Sequence, residues 1–258
     1  MRALRVRDLL PRFPTSNNAV EWVKENVFSN AASPQTSEGS DKAESALTFT
    51  IDSAPVRTIA HWIPVSRQAM DDFAALRQYL EVRLVEGLRD KEDSQLLTGD
   101  GTGVNISGLV TEATAYNTGL NISGDQRIDK LAHSFTQLWE SGRTPTGIVL
   151  HPRDWHAILL IKAETGGSNT GEYLMGPPNA IADPALWGVP VATSTAMTQG
   201  TFLVGDFRMA AVWDRMEAVV EISDSHSDYF IKNLLAVRAE ERLTLTVFQS
   251  DAFIYGSF

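Results

Sequence analysis

The segment from Thr58 to Gly103 constrains the fold more than any other part of the 258-residue chain. An extended apolar run holding Ile59, Trp62, Ile63 and Val65 meets Ser66 and gives way to helical periodicity. Ser66 is placed to cap that helix, because a serine hydroxyl accepts from an otherwise unpaired first-turn amide. Ala69, Phe73, Leu76, Leu80, Leu84 and Leu88 then follow at steps of three or four and draw one apolar stripe. Asp71, Asp72, Arg77, Glu81, Arg89 and Glu92 lie mostly off it. The pattern predicts one helix from Ser66 to Gln95, about 45 Å long at 1.5 Å per residue. It ends before the GDGTG turn, Gly99 to Gly103, whose glycines permit positive φ. The lysine and spacing of a phosphate-binding loop are missing there.

A second constraint precedes it. AVEWVKENVF from Ala19 and LTFTIDSAPV from Leu47 both read as strands. Between them, Ser29 to Ser45 contains no large apolar residue and cannot bury itself in a core. The result is a long two-stranded hairpin with a polar, mobile tip. A solitary hairpin is marginal in water, so this one is expected to lie on another subunit. Residues 1–18, with two prolines and several arginines, read as an arm packed on a neighbour. After Gly103 the chain alternates short strands with helices, IDKLAHSFTQLWES and PRDWHAILLIKAE, with a loop from Gly166 to Pro178. From Phe207 to the end it is mostly strand. The fold class is α+β.

Composition excludes several functions. With no cysteine there is no disulfide, thiolate nucleophile or Cys-based metal site. No apolar run approaches the ~20 residues that span a bilayer, so no membrane partner is expected. Acidic residues number 32 against 22 basic ones, and no two Lys or Arg are adjacent, which argues against a phosphate grip on nucleic acid. His151, Asp154 and His156 in HPRDWH lack a third ligand on one face and read as helix-start residues. No metal or cofactor is expected. Trp22, Trp62, Trp139, Trp155, Trp187 and Trp213 read as core or interface anchors.

The order of strand, Trp, long helix and GDGTG resembles the major capsid proteins of tailed bacteriophages, the Hong Kong ninety-seven type. GIVLHPRDWHAILLIK from Gly147, WGVPVATSTAM from Trp187, VWDRMEAVVEIS from Val212 and NLLAVRAEERLTL from Asn233 carry the same resemblance. It implies an arm over 1–18, an extended hairpin loop over 19–60, and a peripheral domain over 61–103 and 206–247. An axial domain over 104–205 and 248–258 completes the fold. It also implies hexamers and pentamers closing an icosahedral shell in the host cytoplasm, with portal, maturation protease and decoration proteins as partners. DNA would be enclosed without sequence-specific binding, and an acidic wall suits a polymer that must slide. Family members usually carry a scaffolding segment removed by proteolysis, and this chain is expected to begin after it.

Composition alone would make Lys42 a solvated loop lysine, Asn233 a turn residue and Glu240 an ion-pair partner. The resemblance implies more. In the family, a hairpin lysine seven residues before the Phe of the returning strand attacks an asparagine carboxamide on another subunit. A glutamate seven residues after that asparagine assists. Lys42 stands seven before Phe49, and Asn233 seven before Glu240. The chemistry needs an unprotonated amine, whereas a lysine's reference pKa is about 10.4. A dry contact lowers that value and a carboxylate accepts the proton. Leu234, Leu235 and Val237 are placed to supply dryness. Two other readings remain open: an encapsulin-type compartment shell with the same fold, and a soluble α/β enzyme, against which stands the absence of any nucleophile–base or metal constellation.

Overall fold

The computed structural model describes residues 4–35, 37–39, 41–162, 171–173 and 184–258. The loop expected from Gly166 to Pro178 therefore lies almost wholly outside the described residues. The chain opens with α1 (Val6–Leu9) and β1 (Arg12–Pro14), followed by the hairpin strands β2 (Ala19–Ser29) and β3 (Ala46–Pro55). Then come β4 (Arg57–Ser66), α2 (Arg67–Asp72), α3 (Ala74–Thr98), α4 (Leu109–Glu112), β5 (Thr114–Ala115), α5 (Arg127–Glu140), β6 (Gly147–Leu150) and α6 (Pro152–Leu159). The C-terminal part holds β7 (Ala185–Leu186), β8 (Val189–Thr193), β9 (Thr201–Gly205), β10 (Ala210–Ser223), α7 (Tyr229–Lys232), β11 (Leu234–Val247) and β12 (Phe253–Ser257).

Three sheets result: a four-stranded one in the order β1-β10-β11-β4, a six-stranded one in the order β5-β12-β9-β6-β8-β7, and the hairpin β2-β3. In β11 the side chains alternate. Val237, Ala239, Glu241, Leu243, Leu245 and Val247 are buried on the face that meets α3, while Arg238, Glu240 and Arg242 take the other. Leu84 and Leu88 pack on Val237 and Ala239. Leu96 and Leu97 continue into the central core with Val149, Leu203, Phe207 and Phe253, which joins the two larger sheets. A second core gathers Leu131, Phe135 and Leu138 of α5 with Ile148, Leu150 and Phe202. In β6, Ile148, Val149 and Leu150 have no exposed surface.

The long helix departs from its expectation at its start. It is broken at Phe73 (φ −124°, ψ 86°) into α2 and α3, and the second piece runs on to Thr98. Ser66 precedes α2 in extended backbone but makes no side-chain cap bond. Phe73 is 66% exposed, so the first part of the apolar stripe finds nothing among the described residues to cover it. The turn after α3 closes as expected, with Gly101 and Gly103 at φ +69° and +58°. Gly108 N donates to Gly99 O at 2.9 Å, and a Cβ on Gly108 would stand 2.6 Å from Leu97 O.

The arm also differs from expectation. Val6 and Leu10 are buried in the chain's own core, and β1 pairs in parallel with β10. Its arginines are paired at home: Arg7 bridges Glu92 (2.5 Å) and Asp214 (2.6 Å), and Arg5 reaches Asp90 (3.0 Å) and Asp93 (3.6 Å). Glu92 is 1% exposed, and burial lifts its pKa to about 7 against the pull of Arg7. Burial also pushes up Glu241, with the charge of the same arginine pulling it back down.

Candidate functional site

The hairpin ladder holds ten residue pairs, from Ala19–Pro55 at the root to Ser29–Ala46 at the far end, with one irregularity at Glu25/Val27. Ten pairs of extended chain reach roughly 33 Å. Residues from Arg57 onward pair with β11 instead, starting at Arg57–Leu243. Lys42 lies four residues before the start of β3, in the connection between the two hairpin strands, and is exposed. One hairpin face, at its root, meets the body of the chain through Val20, Trp22, Lys24, Asp52 and Ala54. The opposite face carries Leu47, Phe49 and Ile51 at 45, 61 and 76% exposure, with Val23 across from Ile51. The apolar stripe thus looks away from the molecule that builds it.

Asn233 follows α7 in left-handed backbone (φ 50°, ψ 44°), a conformation asparagine tolerates better than most residues. Its carbonyl accepts from Arg67 N at 2.9 Å, which fixes the turn against the start of α2. The residue is exposed. Just before it, Phe230 and Ile231 are 76 and 83% exposed. Tyr229 meets His226 edge-on at 5.0 Å between ring centroids, and His226 lies tilted against Trp62 at 5.2 Å. This aromatic tip was not expected. Its sequence signal, a four-residue YFIK step after a polar turn, is too short to separate a helix from a strand start.

Glu240 sits mid-strand on β11, opposite Val219 on one side and Ala60 on the other. It is half-buried, on the sheet face away from α3, and Arg238 Nη1 stands 3.5 Å from its carboxylate. Seven residues of extended chain put Glu240 roughly 20 Å from Asn233. The hairpin leaves the sheet at the Leu243 end of β11, whereas Asn233 lies beyond the Leu234 end. One chain therefore does not bring the three residues together. A site that uses all of them draws Lys42, Asn233 and Glu240 from different copies.

The remaining candidates are structural. His151 Nδ1 accepts from Arg153 N at 3.1 Å as the cap of α6, and Pro152 opens the helix. Asp154, fully buried, accepts from Arg127 Nη1 (2.8 Å) and Gly200 N (2.6 Å). Among the described residues no group of three His, Cys, Asp or Glu is arranged to hold a metal ion, and no helix is long and apolar enough to cross a membrane. Trp155 is packed against the core, while Trp139 and Trp187 are more than half exposed.

Comparison with known proteins supplies the family. The chain is 48% identical over 259 residues to the major capsid protein of Enterobacteria phage HK97, covering all of this chain and 66% of that protein. It thus spans just under two thirds of that relative's length. Its fold matches the capsid of an empty GTA particle (TM-score 0.75, 17% identity, 100% of this chain and 92% of that one). A chain from Microbacterium phage Oxtober96 matches equally (TM-score 0.75, 13% identity, the same coverage). These likenesses show the α+β fold expected from the sequence. The phage capsid family model matches residues 1–258 throughout, and the chain belongs to that family.

Proposed function

We propose that the chain is the shell subunit of an icosahedral bacteriophage capsid, assembling with itself into hexamers and pentamers around a DNA genome. The observation that carries this reading is the outward apolar stripe of Leu47, Phe49 and Ile51, on a hairpin that cannot stand alone in water. Its identity to a capsid protein over the full chain supports the same reading. The subunit works in the virion after assembly in the host cytoplasm, with portal, maturation protease and decoration proteins as further partners. The domain division given by the resemblance applies, with the hairpin ladder ending at Pro55.

The assembled shell crosslinks itself. The Lys42 Nζ lone pair attacks Cγ of Asn233 on a second copy, and Glu240 of a third copy accepts the ammonium proton. The tetrahedral intermediate then expels ammonia and leaves an isopeptide bond between subunits. Phe230 and Ile231, exposed apolar side chains just before Asn233, are available to shield the amine from water once a neighbouring copy packs on them. The chain is structural, and the self-reaction belongs to the assembled shell. Denaturing gels of mature particles test it. Wild-type particles should give ladders or material too large to enter, and Lys42→Ala or Asn233→Ala should collapse these to one band while shells persist. Glu240→Gln should keep the shell and lose the ladder. A single band from expanded wild-type particles would remove all three roles and leave the shell reading intact.

A further inference from the structure

We infer that Glu112 and Lys24 form a latch that sets the angle of the hairpin and ties it to the C-terminal end of the long helix. Lys24 Nζ donates to Glu112 Oε2 at 3.2 Å, linking residues 88 apart in sequence, and both side chains are largely shielded. Ser107 Oγ donates to the other carboxylate oxygen, Oε1, at 2.7 Å and so fixes the rotamer that Lys24 meets. The unit that holds Glu112 is itself rigidly joined to α3. Gly108 N and Thr111 Oγ1 both donate to Gly99 O, and Ile106 N donates to Gln95 Oε1 at 3.0 Å. A shift of the α3 terminus is thereby carried through α4 to the hairpin.

Beneath the latch the root of the hairpin is loosely filled. A cavity of about 120 Å³ lies between Trp22, Asp52 and Arg57 on one side and Asn105, Ser107 and Glu112 on the other. It has room for several waters. Two buried donors on its lining residues, Trp22 Nε1 and Arg57 Nε, take no protein partner. Buried N–H groups of this kind are satisfied by water, and a wet root can exchange partners as the hairpin turns, where a packed apolar root could not. Among the described residues the ion pair is then the one charged, directional restraint between the hairpin and α4. It is a conformational device distinct from the crosslink, whose residues lie elsewhere.

The chain has no cysteine, so paired spin labels at Ser29→Cys and Thr195→Cys report the hairpin angle cleanly. The full chain, diluted in unlabelled chain, reads this distance within one copy whether or not shells form. A narrow distribution is expected for the unsubstituted pair, and a broadened or shifted one for Glu112→Gln and for Lys24→Met. The charge swap Lys24→Glu with Glu112→Lys should restore the narrow form. Single substitutions that leave the distribution unchanged would overturn the latch, as would a swap that fails to restore it.

Discussion

Strands β3 and β6 each carry three large apolar side chains, and these meet opposite fates. Ile148, Val149 and Leu150 have no surface left to water, whereas Leu47, Phe49 and Ile51 are 45 to 76% exposed. β6 lies between β8 and β9 with helices against the sheet; among the described residues β3 has one partner strand and nothing over its apolar face. The same residue types therefore do two jobs. In the six-stranded sheet they hold one chain together, and in the hairpin they stay exposed, which is the basis for proposing that another copy covers them. At about 25 cal/mol per Å² of apolar surface, leaving such a stripe in water is costly unless another molecule covers it.

The largest effect should come from testing the two strands as a pair. Leu150→Ala should destabilise the unassembled subunit by roughly 2–5 kcal/mol, the usual cost of a core cavity. Phe49→Ala should change it by less than about 0.5 kcal/mol, as exposed substitutions do, yet prevent or weaken particle formation. Chemical denaturation of the unassembled subunit and sedimentation of the assembled one read the two halves. A large loss of subunit stability from Phe49→Ala would break the comparison.

A somewhat smaller effect sharpens it at the arm, which is packed on its own chain through charge as well as apolar contact. The folded pKa of Glu92, about 7, lies above its ordinary value of 4.5. The folded state thus keeps a proton that the unfolded state has lost, and stability falls as pH rises between those values. Wild type should lose roughly 2–3 kcal/mol between pH 5 and 8 from this group, and Glu92→Gln should flatten that slope. Urea unfolding at the two pH values checks it. An identical slope in both proteins would assign the pH dependence to other carboxyls.

How much of this was legible in the sequence follows the same division. The hairpin was readable because alternation flanked a stretch with no large apolar residue. The second half of α3 was readable because Leu84 and Leu88 repeat at helical spacing and meet a sheet of their own chain. The break at Phe73 was not, since periodicity says which face is to be covered and not whether this chain covers it. The arm's docking on its own chain was not legible, because the acidic partners of Arg5 and Arg7 stand 85 and 207 residues away in sequence. Asn233 and Glu240 share one motif, but their separation becomes visible only once the intervening residues are known to be extended. That single fact sets the two residues of a compact-looking motif roughly 20 Å apart.

The central claim is that the hairpin's apolar face belongs to another copy. Electron cryo-microscopy of assembled particles tests it most directly. The account predicts density that places Leu47, Phe49 and Ile51 of each hairpin against a neighbouring subunit, with the stripe buried and the tip beside an Asn233 that is not its own. Hairpins that project uncovered into solvent, or fold back onto their own chain, would contradict it.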